Sequence, residues 1–160
     1  MIDSVVLIRV IGMLSQKAKY ALKALFVLGE HTGTEPVMIA DVAERASVPR
    51  KFLEQILLEM KRRGIVHRVR GKFGGYALGR KPEDITFAEV IRVIDGPLAL
   101  SPCASRTAYR KCDDCADETV CAIRFVLLKV RDSTADILEQ HTLAQALADR
   151  KSGKRRKRPI

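Results

Sequence analysis

Outside one window of nineteen residues, Cys103 to Cys121, the 160-residue chain contains no cysteine. Its three histidines, His31, His67 and His141, are scattered, and it has no phosphate-binding P-loop and no nucleophile–base arrangement. These absences take away the usual supports for catalysis, so neither an enzyme nor a small-molecule substrate is expected. Long hydrophobic runs are missing too. The stretch "SVVLIRVIG" is interrupted by Arg9 and is too short to span a bilayer. With no secretory signal visible, the chain is expected in the cytoplasm, with no membrane partner. There thiols stay reduced, and clustered cysteines serve metal or redox chemistry more often than structural disulfides. No internal repeat is visible. A chain of this length buries a core without covalent staples, so the cysteines are not needed to hold an undersized scaffold together.

What is present is positive charge, unevenly spread. The net charge is +10, and residues 47–81 alone hold ten Lys or Arg against two Glu. A segment of that density suggests contact with a polyanion, the plainer alternative being a solvated face. The last eleven residues, "RKSGKRRKRPI", carry seven further cations. Such a run is expected to be a disordered tail, residues 149–160, that adds non-specific affinity.

The apolar periodicity divides the rest. Residues 1–12 add none and are expected to be an arm, or the product of a start codon placed too early. "LSQKAKYALKALFVLGEH" has Ala21, Leu25 and Leu28 at helical spacing. "MIADVAERASVPRKFLEQILLEMKRRG" reads as two helices joined by a tight turn, with Pro49 opening the second and Gly64 ending it. "IVHRVRGKFGGYAL" reads as a hairpin with a basic, glycine-rich tip. Thr86 and Glu89 form a capping-box pair ahead of another helix, which stops at "GP". Val120, Ile123, Leu127, Val130, Thr134 and Ile137 then recur at spacings of three and four on a helix of about twenty residues. That stripe suits either a seam between two copies of the chain or an ordinary intramolecular core.

Helix, short helix, turn, helix, basic hairpin is the order of a winged helix–turn–helix. The fold expected is mainly α with a small β-wing, plus a long C-terminal dimerisation helix. Residues 13–97 would form the DNA-binding domain, 98–121 a cysteine-rich loop and 118–148 the dimerisation region. In such a unit the second helix of the pair enters the major groove of double-stranded DNA and the wing reaches phosphates or the minor groove. Leu53, Ile56, Leu57 and Met60 form the core stripe of the helix after Pro49, while Leu58 is an unexplained apolar residue on the wetter side. Its candidate DNA contacts are Arg50, Lys51, Phe52, Glu54 and Gln55. Gln55 can pair with adenine, Glu54 can accept from cytosine N4, and Lys51 can reach guanine or phosphate. Glu54 has a plainer role open to it, as a surface carboxylate near Lys51 or Lys61. In the wing, Arg68 and Arg70 alternate with Val69 and join Lys72 to make a basic strand face. His67 reads as a surface or phosphate-contacting residue, since no partner lies at metal-binding spacing.

Cys103, Cys112, Cys115 and Cys121 form a Cys-x8-Cys-x2-Cys-x5-Cys series before the long helix. Four thiolates suit tetrahedral zinc or an iron–sulfur cluster, and spacing does not choose between them. A thiol switch through "CDDC" is the third alternative. Asp113 and Asp114 weigh against it, because nearby carboxylates raise a thiol's pKa and slow its reaction.

The segments "MLSQKAKYALKALFVL", "IADVAERASVPRKFLEQILLEMKRRGIVHRVRGKFGGYAL" and "ITFAEVIRVIDGPL" resemble the Rrf-type family of bacterial regulators, the IscR- and NsrR-like proteins, over roughly residues 13 to 147. The resemblance implies a homodimeric winged-helix transcription factor whose cysteine loop holds an iron–sulfur cluster, [2Fe–2S] or [4Fe–4S]. By position it makes Lys51, Phe52, Glu54 and Gln55 recognition-helix contacts and Arg70 the wing arginine. It also makes Cys103, Cys115 and Cys121 the three-cysteine ligand set. Relatives often take a fourth ligand from a histidine three residues past the last cysteine, here Arg124, or from an acidic residue on the first helix, here Lys19. Cys112 is additional to the three-cysteine pattern and is the fourth ligand expected. The wing carries Lys72 and Phe73 where relatives commonly have Pro-Gly. Some members of the family hold no cluster. A zinc site or thiol switch in the same loop is the second reading, and a module binding RNA or another protein the third.

Overall fold

The computed structural model describes residues 14–31 and 35–153. The expected arm, 1–12, and the basic run from 154 onward lie outside the described residues. The architecture is a winged helix–turn–helix built around helix α1, Gln16–Glu30, which packs against nearly every other helix. Ala18, Ala21, Leu22, Ala24, Leu25, Val27 and Leu28 of α1 are buried. Ser15 caps its start by accepting from the Ala18 N–H at 3.0 Å. Asp95 holds Ser15 in place by accepting from its backbone N–H at 3.0 Å and from its hydroxyl.

The helix–turn–helix proper is α2, Ile39–Ala46, and α3, Arg50–Arg62. Between them Ser47 adopts the left-handed conformation with φ +52°. The Val48 N–H then reaches the Ala43 carbonyl (2.9 Å) and the Ser47 N–H the Glu44 carbonyl (3.0 Å), so the last turn of α2 is closed. Gly64, at φ +70°, does the same for α3: Ile65 donates to Met60 and Gly64 to Lys61, each at 3.0 Å. Leu53, Ile56, Leu57 and Met60 are fully buried, as the periodicity predicts, whereas Leu58 is 45% exposed.

The wing pairs β1, Val66–Val69, antiparallel with β2, Gly75–Leu78. Val37 adds a single rung, exchanging backbone hydrogen bonds with Tyr76 at 2.9 and 2.8 Å. Gly75 is required by that approach, since a Cβ there would lie 2.2 Å from the Val37 carbonyl oxygen. Helix α4, Phe87–Ile94, starts on half of the expected capping box. Thr86 accepts from the Glu89 N–H at 3.2 Å, but the Glu89 carboxylate turns to Arg80 at 2.6 Å.

The C-terminal third departs from the sequence reading. Asp117 and Glu118 open only a short 3-10 turn, and the long helix α5 runs Ala122–Gln140, capped by Cys121. The helix of about twenty residues expected there is thus present, and it does not reach residue 148. A break at His141 and Thr142 starts α6, Leu143–Lys151, with a complete capping box between Thr142 and Gln145. Helix α6 returns to α1 and buries Leu143 and Leu147 in the domain core, with Leu147 against Gly29. The core around α1 thus includes chain from beyond residue 97. Residues 149–151, expected in the tail, are helical, and Arg150 pairs with Glu30 at 3.0 Å.

Candidate nucleic-acid interface and cysteine loop

Because the apolar stripe of α3 is fully consumed by the core, its other face is presented outward. Arg50, Lys51, Phe52, Glu54 and Gln55 are all exposed there. Glu54 pairs with Arg50 at 3.2 Å, rather than with the Lys51 or Lys61 considered from sequence. The pair is half-exposed at an i, i+4 spacing, so it is worth only a few tenths of a kcal/mol and yields readily to a better partner. Gln55 makes no side-chain hydrogen bond within the described residues, which leaves both its amide donors and its acceptor available.

In the wing, Val66 is buried but His67, Arg68 and Val69 are exposed, so the hairpin leaves the core after its first residue. Val69 is 39% exposed, so the outer end of the hairpin is solvated on both faces. Arg70 and Lys72 continue that exposed stretch. His67 donates from Nδ1 to the Leu78 carbonyl at 3.0 Å and braces the hairpin.

All four cysteines are free thiols, and they form two neighbouring pairs. Cys103, buried in the 3-10 turn Pro102–Ala104, lies within hydrogen-bonding reach of Cys112. Cys115 is the neighbour of Cys121. Among the described residues no three Cys, His, Asp or Glu side chains converge as a ready metal site. The donor set fits a thiophilic group, since it is four sulfurs on one loop. Bringing both pairs around one centre requires the intervening loop, residues 104–120, to close.

The electrostatics differ between the pairs. The Ser101 hydroxyl, 3.3 Å from the Cys103 sulfur, holds that thiol below its usual range, assisted by Cys112 and the Arg124 guanidinium. Cys112 is pushed up, first by the neighbouring Cys103 thiol and then by burial. The carboxylate effect expected from Asp113 and Asp114 reduces to a minor contribution from Asp114. Burial, then the charge of Cys121, raises Cys115. Cys121 also stands where an N-cap oxygen normally would, accepting from the Arg124 N–H at 3.4 Å.

Two arginines hold this loop, Arg124, which the sequence reading met only as the replacement for a histidine ligand, and Arg131, which it did not single out. Arg124 donates from Nε to the Cys103 carbonyl at 3.1 Å, and Arg131 donates to the Ala104 carbonyl at 2.7 Å. Asp132 steadies the second anchor by accepting from Arg131 (2.7 and 2.9 Å) and from Arg106 (2.9 Å). Their spacing of seven is the available signal, for it puts both on one face of a helix. That face, with Leu128, Ala135 and Leu138, is half-buried. The stripe read from the sequence is mostly outward: Val120, Ile123 and Ile137 are 73%, 72% and 59% exposed, while Leu127 and Thr134 are half-buried. No α5 residue is buried, so an intramolecular core is not what the stripe forms.

Among the described residues no helix is long and apolar enough to cross a membrane. Comparison with known proteins agrees with the architecture. An rrf2-like HTH-type transcriptional regulator of Rhodobacter capsulatus is 43% identical over 139 residues, 85% of this chain and 93% of that protein. The solved structure of T. potens IscR superposes with a TM-score of 0.70 at 29% identity, covering 91% of this chain and 93% of the other. That of CymR, the global cysteine regulator of B. subtilis, gives 0.69 at 27%, covering 86% and 97%. These relatives are regulators rather than enzymes. The sequence model of the Rrf2 family, described as an iron-dependent transcriptional regulator, matches residues 14–149, and the chain belongs to that family of DNA-binding transcriptional regulators.

Proposed function

We propose that the protein is a homodimeric, operator-specific regulator whose DNA affinity is set by an iron–sulfur cluster on Cys103, Cys112, Cys115 and Cys121. The observation that carries this reading is the placement of the cysteine loop on α5. Arg124 and Arg131 tie the Cys103–Ala104 backbone to one face of the helix that also carries the largely exposed apolar stripe. Through that stripe α5 meets a second copy, and the two α3 helices are then spaced for adjacent major grooves. Arg50, Lys51, Phe52, Glu54 and Gln55 read or brace one half-site, and Arg68, Arg70 and Lys72 neutralise flanking phosphates. When bound, the cluster supplies an iron-dependent crosslink between the two thiol pairs. The chain's own part is to order the loop against α5 and thereby fix the distance between the two reading heads. The family's description as iron-dependent supports iron over zinc.

Thiol switching is the second reading, favoured by the adjacency of Cys103 and Cys112 and by the likeness to a cysteine regulator. Anaerobically purified protein decides between them. Visible absorption with stoichiometric iron and acid-labile sulfide is the outcome expected. A colourless protein that binds operator equally well before and after iron chelation would sink the cluster reading.

A further inference from the structure

The wing ends in a four-residue turn, Gly71 to Gly74, closed by the Gly74 N–H donating to the Gly71 carbonyl at 3.0 Å. Lys72 and Phe73 are its two central residues and form the apex of the hairpin. The turn is sterically committed, because a Cβ at Gly74 would lie 2.6 Å from the Val69 carbonyl oxygen. Phe73 is 74% exposed, more than any other large apolar side chain of the described residues. The Lys72 ammonium lies 5.6 Å from its ring centroid. The ring does nothing for the core. It is an apolar plate held in water at the end of a hairpin whose outer part carries Arg68, Arg70 and Lys72.

We propose that Phe73 is a groove-inserting wedge, whose ring enters the minor groove beside the α3 site and partly unstacks one base step. The inference rests on the wing reading given above. An opened step offers the flat apolar face that a phenyl ring lacks in water, and the adjoining phosphates match Lys72 and Arg70. The turn matters because a wedge must be presented rigidly; a floppy tip would lose on ordering what it gained on stacking. Side chains of this class kink duplexes by about 20–90° toward the major groove. Pyrimidine–purine steps open at least cost, so Phe73 gives the operator a preference for TA or CA/TG at a position no polar side chain reads.

The test uses the full-length protein and operator duplexes carrying 2-aminopurine at successive flanking positions, with end-labels reporting the bend. The wild type should raise fluorescence at one position per half-site and bend the duplex. Phe73→Ala should abolish both and weaken binding about tenfold, the loss expected for one base–aromatic stack. Phe73→Leu should retain part of the kink, since aliphatic wedges also insert. Arg70→Ala should weaken binding yet leave the kink intact at saturation. A Phe73→Ala complex with undiminished bend and fluorescence overturns the wedge. Undiminished affinity in Arg70→Ala, by contrast, overturns the wing reading and the wedge with it.

Discussion

Arg124 Nε donates to the carbonyl oxygen of Cys103 across 3.1 Å, joining the first turn of α5 to the far side of the cysteine loop. Two turns later Arg131 repeats the device on Ala104, with its side chain only 14% exposed. Hydrogen bonds from a charged donor are worth about 1.5–3 kcal/mol each, more than an exposed ion pair. The loop is therefore mounted on the helix before any metal is considered. Arg131→Ala should leave the helical body folded but raise amide hydrogen exchange across residues 101–110 by at least about tenfold. Unchanged protection there would mean that the anchor carries no weight.

The two heads of the DNA interface are expected to fail differently. Gln55→Ala removes a base-edge partner and should cost about 1–3 kcal/mol at one operator position, relaxing preference there. Arg70→Ala should weaken specific and random duplex alike, because a wing arginine mainly meets backbone charge. Competition binding against single-base operator variants separates them. If Gln55→Ala leaves the ranking of variants unchanged, Gln55 is not a reader.

How much of this was legible in sequence follows from which forces leave a pattern. The α3 stripe was readable because Leu53, Ile56, Leu57 and Met60 share one helical face between Pro49 and Gly64. The docking of α6 was not, because two leucines, Leu143 and Leu147, supply its buried contacts and their partner is a glycine. The arginine anchors left only a spacing of seven, since a backbone carbonyl accepts from any donor and marks no residue type. Likewise Cys103 and Cys112 became neighbours through the path of the loop, which cysteine spacing does not encode.

A second copy of the chain is the occupant expected for the outward face of α5, where Val120, Ile123, Val126 and Ile137 are each more than half exposed. Ile123→Glu puts a charge into that face at a position 72% exposed in the single chain, so it should not damage the protomer. Sedimentation should show a shift from dimer to monomer with helical content retained, and operator affinity should fall with it. A variant that remains dimeric would move the interface elsewhere.

Ser47 is a smaller matter with a clear sign. It is the one non-glycine residue of the described chain with positive φ, at +52°, and it makes the turn on which α2 and α3 are set. A left-handed L-residue costs roughly 1–2 kcal/mol that glycine does not incur, offset in part by the greater freedom glycine has when unfolded. Ser47→Gly should therefore raise unfolding free energy by about 0.5–1 kcal/mol, read from denaturant midpoints at constant slope. A loss of stability would show that the serine side chain supports the turn.

The sharpest expectation concerns Cys112. Its thiol neighbours that of Cys103, and Cys103 is the most deeply placed of the four, anchored through Arg124. Cys115 and Cys121 form the other pair, with Cys121 fixed at the start of α5. A centre bound by Cys103, Cys115 and Cys121 alone would leave Cys112 beside it as a displaced neighbour of one of its own ligands. Including Cys112 uses both pairs whole, and one closure of the loop brings them together. The Arg124 guanidinium cannot ligate in its charged state. The fourth donor must then come from the loop or from outside the chain. Each single Cys→Ser variant, prepared anaerobically, should lose most of its iron and sulfide and bind operator like the metal-free protein. The decisive variant is Cys112→Ser. If it alone keeps a full cluster with an unchanged spectrum, the four-cysteine site is wrong and the fourth ligand lies outside the loop.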